Sequence, residues 1–205
     1  MTTGTRNIPA STKFEIDGIN HLALVSSDMK RTVDFYTGVL GFPLVKTLEL
    51  GGGRGQHFFF DISEGNGIAF FWWPDAIEGT PNEAVPAGYD DQMNKVAPNK
   101  SAIGTMHHVA FDVPAEKIDE YLVKLRSKGI PVTEIVNHAK SLDGGHKADY
   151  DPATDGGDVF IRSLYFKDPN GTILEFACWT TTFDESDIAH RPKTAADLVT
   201  RRPVP

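Results

Sequence analysis

A single acid, Glu175, interrupts the apolar run Ile173, Leu174, Phe176, Ala177, Cys178 within SLYFKDPNGTILEFACW, residues 163–179. The turn signal Asp168-Pro169-Asn170-Gly171 opens that run, which reads as a core strand. A carboxylate on a core strand carries a large desolvation cost unless a positive group meets it. An arginine or a metal cation can do so. Two histidines stand in matching settings, each two residues before an alanine: His21 in INHLALVSSD and His108 in MHHVAFDVPA. Three more could move a proton near neutral pH. His57 lies in GQHFFFDI, and His138 and His146 flank or enter the polar loop 139–158.

The elements that must position these residues occur twice. Each half opens with the short strand that carries its histidine, and a helix follows. Ser27 or Asp28 can cap the first helix, whose stripe is Val33, Tyr36, Val39 and Leu40 and which ends between Gly38 and Gly41. The second has the stripe Ile118, Tyr121, Leu122 and Leu125 before Gly129. Three strand-like runs come next in each half: FPLVKTLEL, GQHFFFDI and NGIAFFWWP, then IPVTEIVNH, DVFIRSLYF and NGTILEFACW. Superposing the Asn66-Gly67 and Asn170-Gly171 turns sets Phe71 opposite Glu175.

A repeat of this kind predicts an α+β fold, because two half-open sheets bury their concave faces only against each other. The expectation is two βαβββ modules pairing into one cupped mixed sheet, closed around one cup within a single chain. The expected boundaries are a disordered tail over 1–13, a first module over 14–74, a linker over 75–103, a second module over 104–180 and a tail over 181–205. The loop insertion 139–158 is about 17 residues longer than its counterpart, a length typical of lids. Its Asp149, Asp151, Asp155 and Asp158 lack the order of a calcium-binding loop and read as a solvated acidic surface.

Composition narrows the classes of partner. A net charge of −8 over 205 residues lacks the clustered Lys and Arg that nucleic acid or an anionic membrane requires. The lone cysteine, Cys178, forms no internal disulfide, so a cytoplasmic setting is expected. No apolar run reaches the ~18 residues of a membrane span.

The order of elements, with DFYTGVLGF in the first helix and YFKDPNGTILEF near the end, resembles the vicinal oxygen chelate superfamily of glyoxalases, bleomycin and fosfomycin resistance proteins and extradiol dioxygenases. The resemblance spans roughly residues 16–180. It implies that His21, His108 and Glu175 bind one divalent transition metal, with Fe(II) favoured and Mn, Zn or Ni as alternatives. Strand alternation points His107, the rival of His108, to the other face. Phe71 cannot ligate, so the fourth protein ligand of the glyoxalase I pattern is absent.

Three ligands with open positions resemble the extradiol dioxygenases, which bind an aromatic diol and O2 at Fe(II). A tyrosine ten residues before the Glu ligand belongs to that pattern, and Tyr165 stands there. The histidine nine residues before the tyrosine is replaced by Gly156, which leaves His57 or His146 as the candidate acid–base group. A glyoxalase- or epimerase-type enzyme using Zn, Ni or Co is the alternative, followed by a metal-free binding protein. A homodimer is expected through an apolar sheet edge or the aromatic outer face of AFFWW, residues 69–73.

Overall fold

The computed structural model describes residues 19–63, 65–76, 89–94, 106–142, 145–188, 190 and 192. The expected N-terminal tail, most of the linker and most of the C-terminal tail lie outside them. The first module comprises β1 (His21–Val25), α1 (Met29–Val33) widening into a π-helical stretch over Asp34–Leu40, β2 (Leu44–Leu50), β3 (Gly55–Ser63) and β4 (Asn66–Trp72). The second repeats that order as β5 (Val109–Asp112), α2 (Ile118–Ser127), β6 (Val136–Ala139), β7 (Val159–Lys167) and β8 (Ile173–Trp179). Asp28 starts α1 by accepting the Arg31 backbone N–H at 3.0 Å, which satisfies a donor that the first turn cannot. Gly41 ends the π-helical stretch at φ 80°, a left-handed conformation that glycine adopts without a Cβ clash. Among the described residues no helix is long and apolar enough to cross a membrane.

The sheets have the orders β1-β4-β3-β2 and β5-β8-β7-β6. In each, the first strand runs parallel to the last and the other pairs are antiparallel. The α+β, two-module architecture is therefore the expected one, with each module forming its own hydrogen-bonded sheet.

The modules meet along a seam made by their helices and the turn before β8. Asn170 Oδ1 accepts from the Ser27 backbone N–H at 3.0 Å and the Ser27 hydroxyl at 2.8 Å. Lys128 Nζ donates to the carbonyls of Gly38 and Val39 at the end of the π-helical stretch. Phe42 meets Phe111 edge to face at 5.3 Å. A cavity of about 240 Å³ opens along this seam, lined by Phe42, Phe111, Tyr121, Lys124 and Phe176 among others. None of the metal or catalytic candidates lines it.

The strand register revises how the modules superpose. Asp61 pairs with Gly67 and Phe59 with Ala69, whereas Lys167 pairs with Ile173 and Tyr165 with Glu175. Ala23 likewise faces Ala69 where Ala110 faces Glu175. The counterpart of Glu175 is thus Ala69 and not Phe71, and the matching turn glycines are Gly65 at φ 82° and Gly171 at φ 85°. The expected overlay of the two Asn-Gly pairs is off by two residues, because the left-handed turn sits at Gly65 and not at Gly67. Gly65 and Gly171 are 106 residues apart and the strand histidines 87, so the second module carries 19 extra residues instead of 17.

One face of each sheet packs on its helix. Tyr36, Phe60, Ile68, Phe70, Ile118, Leu164, Phe166 and Leu174 are fully buried in a shared core. Burying each large side chain contributes about 1.5–3 kcal/mol. Tyr36 also reaches across the seam, donating its hydroxyl to Asp168 Oδ2 at 3.2 Å. Burial raises the Asp168 pKa, against backbone N–H bonds from Thr172 and Asn170 and the Tyr36 hydroxyl. Tyr36→Phe is expected to cost about 1–2 kcal/mol by leaving a buried carboxyl short of a donor. Urea denaturation of the two proteins checks this.

Candidate functional site

Alternation along β8 accounts for the acid in the apolar strand. Leu174, Phe176 and Cys178 pack into the helix-side core, whereas Glu175 pairs with Tyr165 and Ala110 on the opposite, inner face. Glu175 is 3% exposed there. Its Oε2 lies 2.7 Å from Nε2 of His108. Tyr165 sits edge to face with the His108 ring at 5.9 Å.

Burial alone would raise the Glu175 pKa, but hydrogen bonding from His108 and the nearby Ser163 and Tyr165 hydroxyls hold it below the ordinary value. Burial, and next the charge of Glu175, push the Tyr165 phenol upward, so it stays a neutral donor. Ser163 Oγ is buried and completes no full hydrogen bond, although it lies close enough to both groups to lower their pKa values.

A second cluster occupies the inner face of the first sheet. His57 stacks on Phe71 at 3.6 Å and 13°, and Phe71 stacks on Trp73 at 4.9 Å and 9°. His21 meets Phe59 at 5.5 Å and shares a hydrogen bond with Asn20. His57 Nε2 is buried without a partner. Burial first, and the neighbouring His21 next, lower the His57 pKa and keep the ring neutral.

The candidates therefore fall into two half-sites, one on each sheet. His108, Glu175 and Tyr165 come together on the second sheet, and His21 and His57 on the first. Among the described residues no group of three His, Cys, Asp or Glu side chains is placed to hold a metal ion. The donor chemistry of the second half-site still suits one. Two donors bound to a common ion at ~2.1 Å stand about 3 Å apart, close to the His108–Glu175 separation. His108 and Glu175 could supply an imidazole and a carboxylate, and Ala69 adds no ligand from β4.

His146 lies elsewhere. Its Nδ1 accepts the Asn137 backbone N–H at 3.2 Å, and it forms a strand bridge with His138 beside β6. The described part of loop 139–158 is tied down by Lys147, which bridges Asp155 and Asp158 at 2.9 and 3.1 Å. Asp155 and Asp158 are thereby compensated within the protein. Gly156 is required by its fold, since a Cβ there would stand 2.8 Å from the Pro152 carbonyl oxygen.

The aromatic segment 69–73 offers no outer docking face. Ala69 and Phe70 are buried, Trp72 packs on the core, and Phe71 and Trp73 belong to the His57 stack.

Two residues near Glu175 escape a reading of the sequence, and a third is misplaced by it. Ser163 could have been found, because it is two residues before Tyr165 on the same strand face. Tyr89 lies in a proline-rich stretch without periodicity, yet its ring stacks on Tyr165 at 5.9 Å. Lys167 Nζ holds that segment by the carbonyls of Tyr89 and Asp90 and the carboxylate of Asp91. His107 does not turn to the other face, because the ladder of β5 begins only at Val109. Its Nδ1 lies 2.7 Å from Nδ1 of His108.

Two solved structures share this fold. A glyoxalase family protein from Enterococcus faecalis has 20% identity and a TM-score of 0.52, covering 78% of this chain and 97% of its own. A glyoxylase/bleomycin resistance protein/dioxygenase domain from Frankia sp. EAN1pec has 15% identity and a TM-score of 0.54, covering 80% and 93%. A fosfomycin resistance protein from Listeria monocytogenes, crystallised with Mn(II) and sulfate ion, has 17% identity and a TM-score of 0.48, covering 81% and 95%. Residues 18–176, well over half of the sequence, match the family described as Glyoxalase/Bleomycin resistance protein/Dioxygenase superfamily, and the chain belongs to it.

Proposed function

We propose that the protein is a metal-dependent enzyme of the vicinal oxygen chelate type, an Fe(II) extradiol dioxygenase acting on a small aromatic diol. The observation that carries this reading is the buried Glu175 carboxylate, held between His108 Nε2 and the neutral phenol of Tyr165 with no further ligand from β4. His108, Glu175 and His21 would hold the metal. When bound, the metal supplies a Lewis acid with open positions for a diol and O2.

The chain's own residues have separate tasks. Tyr165, kept protonated by burial and by Glu175, donates a hydrogen bond to an oxygen of the substrate. His57, its pKa lowered first by burial and next by His21, is the candidate acid–base group of the first half-site. The Phe71 and Trp73 rings stacked behind it give the first half-site an apolar wall suited to an aromatic ring. His146 is tied to the β6 backbone and has no part in this reading.

The split of the donors supports a homodimer in which the first sheet of one copy faces the second sheet of the other. Val25 and Leu48 are 55% and 37% exposed on the inner face with His21 and His57, and Trp179 is 40% exposed on the inner face with Glu175. A two-fold pairing would cover both faces at once and form two complete sites.

Tyr165→Phe tests the assignment. The variant should retain its metal and lose about 10²–10³-fold in kcat for O2 consumption with catechol or a methylcatechol, the scale of one lost transition-state donor. An unchanged rate would remove Tyr165 from the mechanism.

A further inference from the structure

The cavity of about 240 Å³ along the seam is separate from both half-sites, and its lining comes from both modules. Leu40, Phe42 and Ile62 belong to the first, and Phe111, Tyr121 and Phe176 to the second. Phe111 meets Phe42 edge to face at 5.3 Å, and Tyr121 meets Phe176 in the same way at 5.7 Å. Much of the wall is thus aromatic, which favours a flat hydrocarbon body. Sites for drug-sized ligands run to about 300–1,000 Å³, so the volume here suits a single ring.

Three ionic side chains line the same cavity: Lys124, Lys128 and Asp112. Lys124 and Lys128 are four residues apart at the end of α2 and so stand on one face. Lys128 Nζ donates to the carbonyls of Gly38 and Val39 at 2.8 and 2.6 Å, which fix its position without cancelling its charge. A third N–H remains to it. Lys124 makes no side-chain hydrogen bond or ion pair among the described residues, and the acid one turn before it, Glu120, is engaged by Lys117 at 2.7 Å. The carbonyls of Lys124, Leu125 and Arg126 accept from the backbone N–H groups of Lys128, Gly129 and Ile130, which blunts the repulsion of an anion by the helix end. With Asp112 set against the two ammonium groups, the lining keeps one net positive charge. That balance matches a single carboxylate.

We infer that the seam cavity binds a small aromatic monocarboxylate, with its ring among Phe42, Phe111 and Phe176 and its carboxylate at Lys124. The ligand would touch both modules at once, and neither the metal nor the inner sheet faces enter the argument. The test is a 19F NMR titration of the full-length, chelator-treated protein with 4-fluorobenzoate, and with 4-fluorobenzamide as its neutral analogue. The acid should bind saturably and the amide about 10-fold more weakly, for want of a charge-assisted hydrogen bond at a solvent-facing lysine. Lys124→Met, which keeps an apolar stem and removes the charge, should weaken the acid about 10-fold and leave the amide unchanged. Lys124→Arg should retain the affinity of the unaltered protein, and so should His57→Ala, which alters the ring-lined half-site. No saturable binding of the acid would overturn the inference, as would equal affinity of the unaltered protein for acid and amide. Binding lost in His57→Ala but kept in Lys124→Met would also overturn it, because the ring would then sit on the inner face of the first sheet.

Discussion

Glu175→Ala is expected to leave the protein folded and unable to hold a divalent transition metal. In the metal-free chain the carboxylate is nearly dry and is compensated by His108, with the Ser163 and Tyr165 hydroxyls close by. The partner left behind, His108, is an imidazole that reaches solvent, so removing the carboxylate strands no buried charge and the metal-free variant should melt within a few degrees of the unaltered protein. With metal the two diverge. A ligand present at 100 times its dissociation constant stabilises the folded state by about 2.7 kcal/mol. In a chain of this size that corresponds to a rise in Tm of roughly 5–11 °C. The unaltered protein should show such a rise with excess Mn(II) or Zn(II), and Glu175→Ala none. Differential scanning calorimetry with elemental analysis reads both effects, and a variant that kept full metal content would dismiss Glu175 as a ligand.

Mixing two inactive variants is expected to restore metal sites. His21→Ala removes a donor from the first half-site and Glu175→Ala one from the second, so each homodimer is incomplete. After subunit exchange at equal amounts, half of the dimers pair one variant with the other. In these, one of the two sites takes its intact first sheet and intact second sheet from different copies, so about a quarter of all sites should be complete. If His21 and Glu175 served the same site within one chain, every chain would carry a defect and mixing would recover nothing. Metal content after gel filtration of the mixture distinguishes the two arrangements.

Much of this architecture is legible in the sequence, for identifiable physical reasons. The helix stripes and Asp28 follow from the 3.6-residue period and from cap chemistry, both local, and the structure shows them where expected. The pairing of Glu175 with Tyr165 is legible because they lie in one hairpin whose turn is marked by Asp168-Pro169-Asn170-Gly171. Register between the modules is less so. A repeated Asn-Gly pair suggests an overlay, but the left-handed φ that defines the turn falls on Gly65. His107 was misplaced because alternation holds only where a strand is paired, and pairing begins at Val109. Tyr89 reaches Tyr165 through Lys167, a contact 78 residues distant in the chain that no local pattern records. The division of the donors between the sheets carries no local signal, because it depends on how the modules meet, and their contacts, Ser27 with Asn170 and Lys128 with Gly38, join residues far apart in the chain.

Oxygen uptake by the Fe(II)-loaded protein tests the proposed function most directly. Protein loaded anaerobically with Fe(II) and mixed with catechol or a methylcatechol should, on admission of oxygen, consume one O2 per diol and form a yellow ring-fission product. The metal-free protein and Glu175→Ala should do neither. An iron-replete sample that takes up no oxygen with any such diol, while a Zn or Ni form isomerises a hemithioacetal, would contradict the dioxygenase reading and put a glyoxalase-type reaction in its place.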